Sequence, residues 1–401
     1  MRICKGYLLG IGMLCLLPFV QVRGEGSRTW DKIWSLPAIG VPIIVHSPET
    51  NWGFGAGVQG YFKLPDAERT SIVYGDGCYT LNKQYYISVG GTIYFGGSTP
   101  WFMLFRGGYR NYPDTYYGIG NTITEERLHG TPYTSQRGTA HIETQLYLPA
   151  NWSIGPLFDF IHEKTGNWEN EEMGKWENEK ITNDQINDKI VNRPYSEADR
   201  LTVRRKEIVN TMWALGVVTQ YDTRDTLYYP HKGIFFKASA AHYEPALGST
   251  ARMTHLQADL RQFIPLPKDI IFAWQFKTEW ALSDEEETIP FQILPTLGGQ
   301  DLVRGVRRNM FRDNVMMALQ AEFRFPIWNF LRLHAFAGIG DVYNTDHWNW
   351  ATPKIGYGLG LRIGINDAHI NIRLDVARSN IYKNWNTWES YAFYLTATEA
   401  F

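Results

Sequence analysis

Long apolar runs are nearly missing from this chain. The one exception extends from Tyr7 to Val20. Pro18 interrupts it, and it falls short of the ~20 apolar residues that a spanning helix needs, which excludes a helical membrane protein. Cysteine is as scarce, with three in 401 residues. Cys4 and Cys15 lie at the extreme N-terminus, leaving Cys78 without a partner for an internal disulfide. An excess of charge of one sign is missing too. The 39 Lys and Arg face 41 Asp and Glu, a formal net charge of −2, so no basic surface argues for nucleic acid. No G-x-S-x-G elbow, H-E-x-x-H pair or Cys-rich metal spacing occurs. An enzyme is therefore the least favoured class, and no cofactor or metal is implied.

The N-terminus reads as an export leader. Arg2 and Lys5 give a basic start, Tyr7 to Val20 an apolar centre, and Val22 and Gly24 the small residues that signal peptidase selects, with cleavage after Gly24. A lipoprotein leader does not fit, because Leu14 precedes Cys15 where Gly, Ala or Ser is required. Residues 1–24 are thus a signal peptide, 25–37 a short periplasmic segment, and 38–401 the folded part.

Aromatic residues make up 15% of the chain, a high share for a mean hydropathy of −0.31. A transmembrane β-barrel reconciles the two. Its strands alternate apolar outside with polar inside, and aromatic girdles ring both interfaces. The alternation is visible in His369-Ile370-Asn371-Ile372-Arg373-Leu374-Asp375-Val376. In 314–326, Val315, Met317, Leu319, Phe323 and Phe325 share one face, and Gln320, Glu322 and Arg324 the other. Strands are predicted at 38–46, 52–63, 70–79, 84–95, 101–109, 134–149, 152–163, 207–221, 232–243, 250–264, 268–282, 314–326, 330–343, 354–364, 368–378 and 389–401. The fold class is all-β: a closed, antiparallel, sixteen-stranded transmembrane barrel, with the even count that bacterial single-chain barrels show. With a periplasmic N-terminus, the long connections 110–133, 164–206 and 283–313 face outward and the short ones inward. The charged loop 164–206 reads as a solvated surface loop.

Two glycine series, Gly53-Phe54-Gly55-Ala56-Gly57 and Gly356-Tyr357-Gly358-Leu359-Gly360, lack the spacing of a dinucleotide site. At period two their glycines share the lumen face and leave room for something to pack inside. His334 and His369 are expected to line the lumen.

Three motifs carry a resemblance. The segment Gly298-Gly299-Gln300-Asp301-Leu302-Val303-Arg304-Gly305-Val306, with Glu322-Phe323-Arg324-Phe325-Pro326, resembles the signature of the outer-membrane assembly-factor superfamily. This is the BamA/TamA family, whose barrel is called the bacterial surface antigen domain. Tyr221-Asp222-Thr223-Arg224-Asp225 with Tyr229-Pro230 and Gly233 is similar to a second family motif. Gly358-Leu359-Gly360-Leu361-Arg362 with Asn371-Ile372-Arg373-Leu374-Asp375 is similar to a third. Tyr391, Phe393 and the final Phe401 resemble the C-terminal assembly signal. The resemblance covers about 38–401. It implies that the sixth outer loop folds into the lumen through Val303, Arg304 and Gly305. It also implies that Arg304 meets the acidic Glu322 and the aromatic Phe336. The family's second acid, two residues after that aromatic, is here Gly338, and Asp341 falls on the other face, so Glu322 is expected to hold Arg304 alone.

The family usually carries N-terminal periplasmic POTRA domains, and Glu25 to Pro37 is too short for one, so a member lacking them is expected. The implied function is insertion or translocation of proteins, or of other cargo, at the outer membrane. The implied partners are outer-membrane lipids, assembly factors and nascent barrels, and the barrel is expected to be monomeric. The seam would join the first strand, with Gly40 and Pro42, to a longer last strand with Tyr391, Phe393 and Phe401. Pro42 cannot donate to a ladder; it weakens the seam, or is an ordinary proline at a strand start. A passive channel and a surface-antigen scaffold are the alternatives. N-terminal sequencing of the protein from outer membranes is expected to begin at Glu25. An intact Met1 on a cytoplasmic protein would contradict the leader.

Overall fold

The computed structural model describes residues 21–22, 38–47, 50–123, 128, 130–166, 208–226, 229–284, 289–328, 330–345, 352–364, 371–382 and 390–396. Most of loop 164–206, His369, Phe401, and all but Gln21 and Val22 of the leader lie outside these residues.

Sixteen wall strands form one antiparallel sheet that closes on itself. They are β1 Ala38–Ser47, β2 Asn51–Phe62, β3 Ser71–Thr80, β4 Tyr85–Phe95, β5 Trp101–Tyr116, β6 Thr131–Tyr147, β7 Trp152–Gly166 and β8 Ile208–Asp222. They continue as β9 Gly233–Tyr243, β10 Met253–Leu266, β11 Ile270–Leu282, β12 Val315–Trp328, β13 Leu331–Tyr343, β14 Lys354–Gly364, β15 Asn371–Ser379 and β16 Tyr391–Thr396. No helix among the described residues is long and apolar enough to cross a membrane.

The faces are reversed relative to a water-soluble sheet. On β12, Leu319 and Phe323 are 47% and 42% exposed on the outside, while Glu322 and Arg324 are 0% exposed on the inside. Val315 shares the parity of Leu319 but lies at the rim, where it is buried. Ile87, Val217, Leu359 and Val376 continue the outer apolar belt, and His334, Arg362, Arg373 and Asp375 continue the buried charged layer. Carbon outside and charge inside is the pattern that a bilayer selects.

The two ends differ. At one, tight turns join the strands. Ala150-Asn151 and Lys268-Asp269 both have positive φ at the two central positions, the geometry whose twist matches a hairpin. At the other end sit the longer connections 117–130, 167–207 and 283–314. Two predicted strands stop too early. β5 runs to Tyr116 rather than residue 109, and β6 starts at Thr131, with Tyr116 opposite Thr131. The outward residues in this extension are Asn111, Pro113 and Thr115. The ladder therefore continues above the apolar belt, where outward apolar residues no longer mark it.

Closure is uneven. β16 pairs with β15 continuously from Arg373 opposite Thr396 to Arg378 opposite Tyr391. Among the described residues its other edge meets β1 at Leu395 opposite His46. One further bond spans the seam there, from His46 Nδ1–H to the Phe393 carbonyl at 3.1 Å. Lower on that edge of β1, Gln21–Val22 bridges antiparallel to Ala38 and Ile39. The last strand is described over Tyr391–Thr396, and residues 397–401, on which its expected greater length rests, lie outside the described residues.

Candidate functional site

The connection 283–314 passes through the lumen. Its residues Leu297, Val303, Val306, Met310 and Phe311 form an apolar cluster with the wall residues Met316, Ala318 and Val342. Burying these side chains supplies the general attraction; a charged lock sets the position.

At the loop's tip, Val303 is fully buried at φ 50°. A β-branched residue rarely adopts this left-handed region, at a cost of ~1–3 kcal/mol. The following Gly305 has φ +103°, and a Cβ there would run into the Arg378 backbone. This strained turn drives Arg304 into the wall. Its Nη2 lies 2.9 Å from Glu322 Oε2 on β12, and its Nη1 lies 2.7 Å from Asp375 Oδ2 on β15. Its guanidinium carbon sits 3.5 Å from the ring centroid of Phe336 on β13. The three predicted residues Arg304, Glu322 and Phe336 are therefore together.

The second carboxylate corrects the expectation that Glu322 would stand alone. Asp375 comes from β15 rather than from β13, where Gly338 leaves no acid. Asp341 takes no part, and pairs instead with Lys354 at 2.8 Å near the rim. Glu322 also holds Arg324 at 2.7 Å and Arg362 at 2.6 Å. Asp375 also accepts a bond from His334 Nε2–H at 2.7 Å and lies 3.3 Å from Arg373. Four guanidinium groups thus share two carboxylates. Arg373 and Gln320 extend the anchor, donating to the carbonyls of Gln300 and Asp301 at 2.8 Å each.

The glycines of β14 make the space. A Cβ at Gly356 would collide with the Arg304 carbonyl, one at Gly358 with the Phe336 ring, and one at Gly360 with Asp375 and His334. The loop also touches the last strand. The Gly305 N–H donates to Tyr394 Oη at 3.3 Å, and Tyr394 packs with Phe336, Ala377 and Ala392. Of the predicted seam residues, Phe393 is on the outer face of β16 and Pro42 is exposed on β1, while Tyr391 and Gly40 are half-buried.

The second motif organises the short-turn end. Arg224 Nε and Nη2 each donate to Asp222 at 2.9 Å, and the guanidinium stacks 4.2 Å over Phe235. Partial burial alone would raise the pKa of Asp225. The N–H groups of His231, Lys232 and Thr226 outweigh it and hold the carboxyl below its usual range. Tyr229, from the same turn, is buried 5.0 Å from Arg324 and 5.4 Å from Arg332. The turn thus supports the cationic layer from below. Sequence reading quoted this motif but missed that link.

Charge balance ranks the substitutions. Without Arg304, each carboxylate keeps other cations. Without Glu322, three guanidinium groups lose a shared partner. Glu322→Gln is therefore expected to destabilise by about 3–5 kcal/mol, the range for breaking a buried pair from one side, and Arg304→Ala by less. The double variant should depart from additivity by roughly 0.5–3 kcal/mol, measured by denaturant unfolding in micelles. Additive effects, or a larger loss in Arg304→Ala, would overturn the shared network.

Comparisons with known proteins agree on the architecture. An Omp85 superfamily domain matches residues 139–401. BamA from Haemophilus ducreyi lacking POTRA domains 1–3 aligns at a TM-score of 0.60 and 14% identity, over 90% of this chain and 70% of that one. CdiB from Acinetobacter baumannii aligns at 0.52 and 11%, over 89% and 59% of the two chains. CdiB from Escherichia coli aligns at 0.53 and 10%, over 95% and 67%. At these identities the likeness is one of fold. No curated protein matches the chain significantly. With the domain matched over more than half of its length, the chain belongs to the Omp85 superfamily.

Proposed function

We propose that this barrel inserts or translocates proteins at the outer membrane by opening between β1 and β16, while loop 283–314 stays docked in the lumen. The chain reaches that membrane through the leader 1–24, with its short turns in the periplasm. Its partners are the surrounding lipids, nascent barrel strands and periplasmic or outer-membrane assembly factors.

One observation carries the reading: the lumen loop ties β16 from within, the Gly305 N–H donating to Tyr394 Oη at 3.3 Å, and among the described residues no such bond reaches β1. In hydrocarbon an unpaired backbone N–H or C=O costs several kcal/mol, since no water can satisfy it. An edge that opens there gains by accepting an incoming strand. The bridge of Gln21–Val22 to Ala38–Ile39 supports the capacity of that edge to take an antiparallel segment.

The lock supports a direction of movement. β16 is tied to the loop through Tyr394 and to β15 along its length. Among the described residues β1 has no such tie, and its inner residues Ile43 and Val45 face glycine positions of β2. It is apolar on both faces, so turning it exposes no buried charge to lipid. By contrast, a one-residue slip in β15 would carry Arg373 and Asp375 outward. β1 is thus the side that moves.

Cysteines at the paired positions, His46→Cys with Leu395→Cys in a Cys78→Ser background, are expected to lock the seam on oxidation. Cells depending on this protein should then lose its activity and regain it with reductant. A verified cross-link that leaves complementation intact would rule out the seam mechanism.

A further inference from the structure

The loop leaves space on one side of the lumen, although its residues 289–294 also reach the wall there. Its tip is fixed to β12–β16. The opposite side, from β5 to β11, encloses a cavity of about 810 Å³. On β9 the cavity touches Phe235, Lys237, Ser239, Ala241 and Tyr243, every inward residue from one end of the strand to the other. Eight residue steps measure about 26 Å along a strand. At a tilt of ~40° this projects to roughly 20 Å of barrel axis, most of the ~25 Å apolar band.

The lining is polar, with eight Lys and Arg against six Asp and Glu. The acids are largely neutralised. Glu143 is paired with His141 and Lys237 at 2.6 and 2.5 Å, Glu163 with Arg137 at 2.7 Å, and Glu279 with Lys277 at 2.7 Å. Asp159 pairs with His141 and Asp259 with Arg261, both at 2.5 Å. Arg106 and Arg110 make no ion pair among the described residues. They lie four residues apart on the inner face of β5, and Arg110 stands directly opposite Arg137 on β6. Like charges at such positions repel, and with Asp114 as the one acid on the inner face of β5 beside these two arginines, positive charge is in excess on this wall.

At the long-loop end Gln292 and Asn309 of the same loop border the cavity and tie the loop to its wall. Asn309 Nδ2 donates to Asp114 Oδ2 at 2.9 Å. Gln292 receives a bond on its carbonyl from Arg137 at 2.8 Å and one on Oε1 from Asn210 at 3.2 Å. It also donates to Thr165 at 3.1 Å.

We infer that the half-lumen between β5 and β11 is an anion-preferring aqueous conduit, held shut by the Gln292 and Asn309 clasp of the lumen loop. A cationic wall in a low-dielectric tube concentrates anions and excludes cations. This conduit is separate from the seam and needs no partner protein, so it stands or falls independently of the insertion reading.

The test uses the purified full chain in planar bilayers under a tenfold KCl gradient. The double variant Gln292→Ala/Asn309→Ala is expected to pass several-fold more current than the unaltered protein, with a reversal potential of the sign set by chloride. Adding Arg106→Glu and Arg110→Glu should abolish or invert that preference, whereas Arg106→Lys with Arg110→Lys should keep it. The current should persist in the oxidised His46→Cys/Leu395→Cys protein. Three results would each overturn the inference: clasp variants no leakier than the unaltered protein, a cation preference that the Arg→Glu changes do not alter, or a current abolished by the seam cross-link.

Discussion

Hydrocarbon cannot hydrogen-bond a peptide group, and the whole architecture follows from that constraint. A sheet in lipid must close, because each open edge leaves a row of unpaired N–H and C=O groups. Closure fixes the inside and outside of every strand. Lipid then demands carbon on one face, and the enclosed lumen receives the charge that the other face carries. The described ladders run around the sheet, and the β16 to β1 junction that closes it is described at Leu395 opposite His46.

The lumen loop gives the two sides of that junction different standing. Arg304 cannot be held by one acid without leaving the wall's other cations short of partners. The network instead spreads two carboxylates over four arginines on the loop, β12, β14 and β15. Such a layer resists any register shift, since a slip would expose charge to lipid. It is less a source of net stability than a means of specifying one arrangement. Because the loop also reaches Tyr394, the specification extends to β16 and stops there. β1 lies beyond it, apolar on both faces and packed on glycines.

Much of this was legible in the sequence. Period-two alternation located all sixteen strands, because lipid imposes the outer face residue by residue. It failed above the membrane, where Asn111, Pro113 and Thr115 continue a ladder that lipid no longer marks. Parity placed Glu322 inward, and the family resemblance joined it to Arg304 and Phe336. Parity also placed Arg373 and Asp375 on one face, within a motif already noted. What alternation along a chain cannot give is distance across a lumen, so the meeting of Asp375 with Arg304 emerged only from the fold. The same holds for Tyr229, whose turn lies far in sequence from the arginines above it. The glycines of β14 did signal an object packed inside, and that object is the Arg304 turn.

The central claim is that β1 is the side of the seam that moves while β16 is held from within. Hydrogen exchange of the barrel in lipid nanodiscs measures this directly, strand by strand. The account predicts that amides of 38–46 exchange faster than those of 371–378 and 391–396. Protection of β1 equal to that of β15 would contradict it.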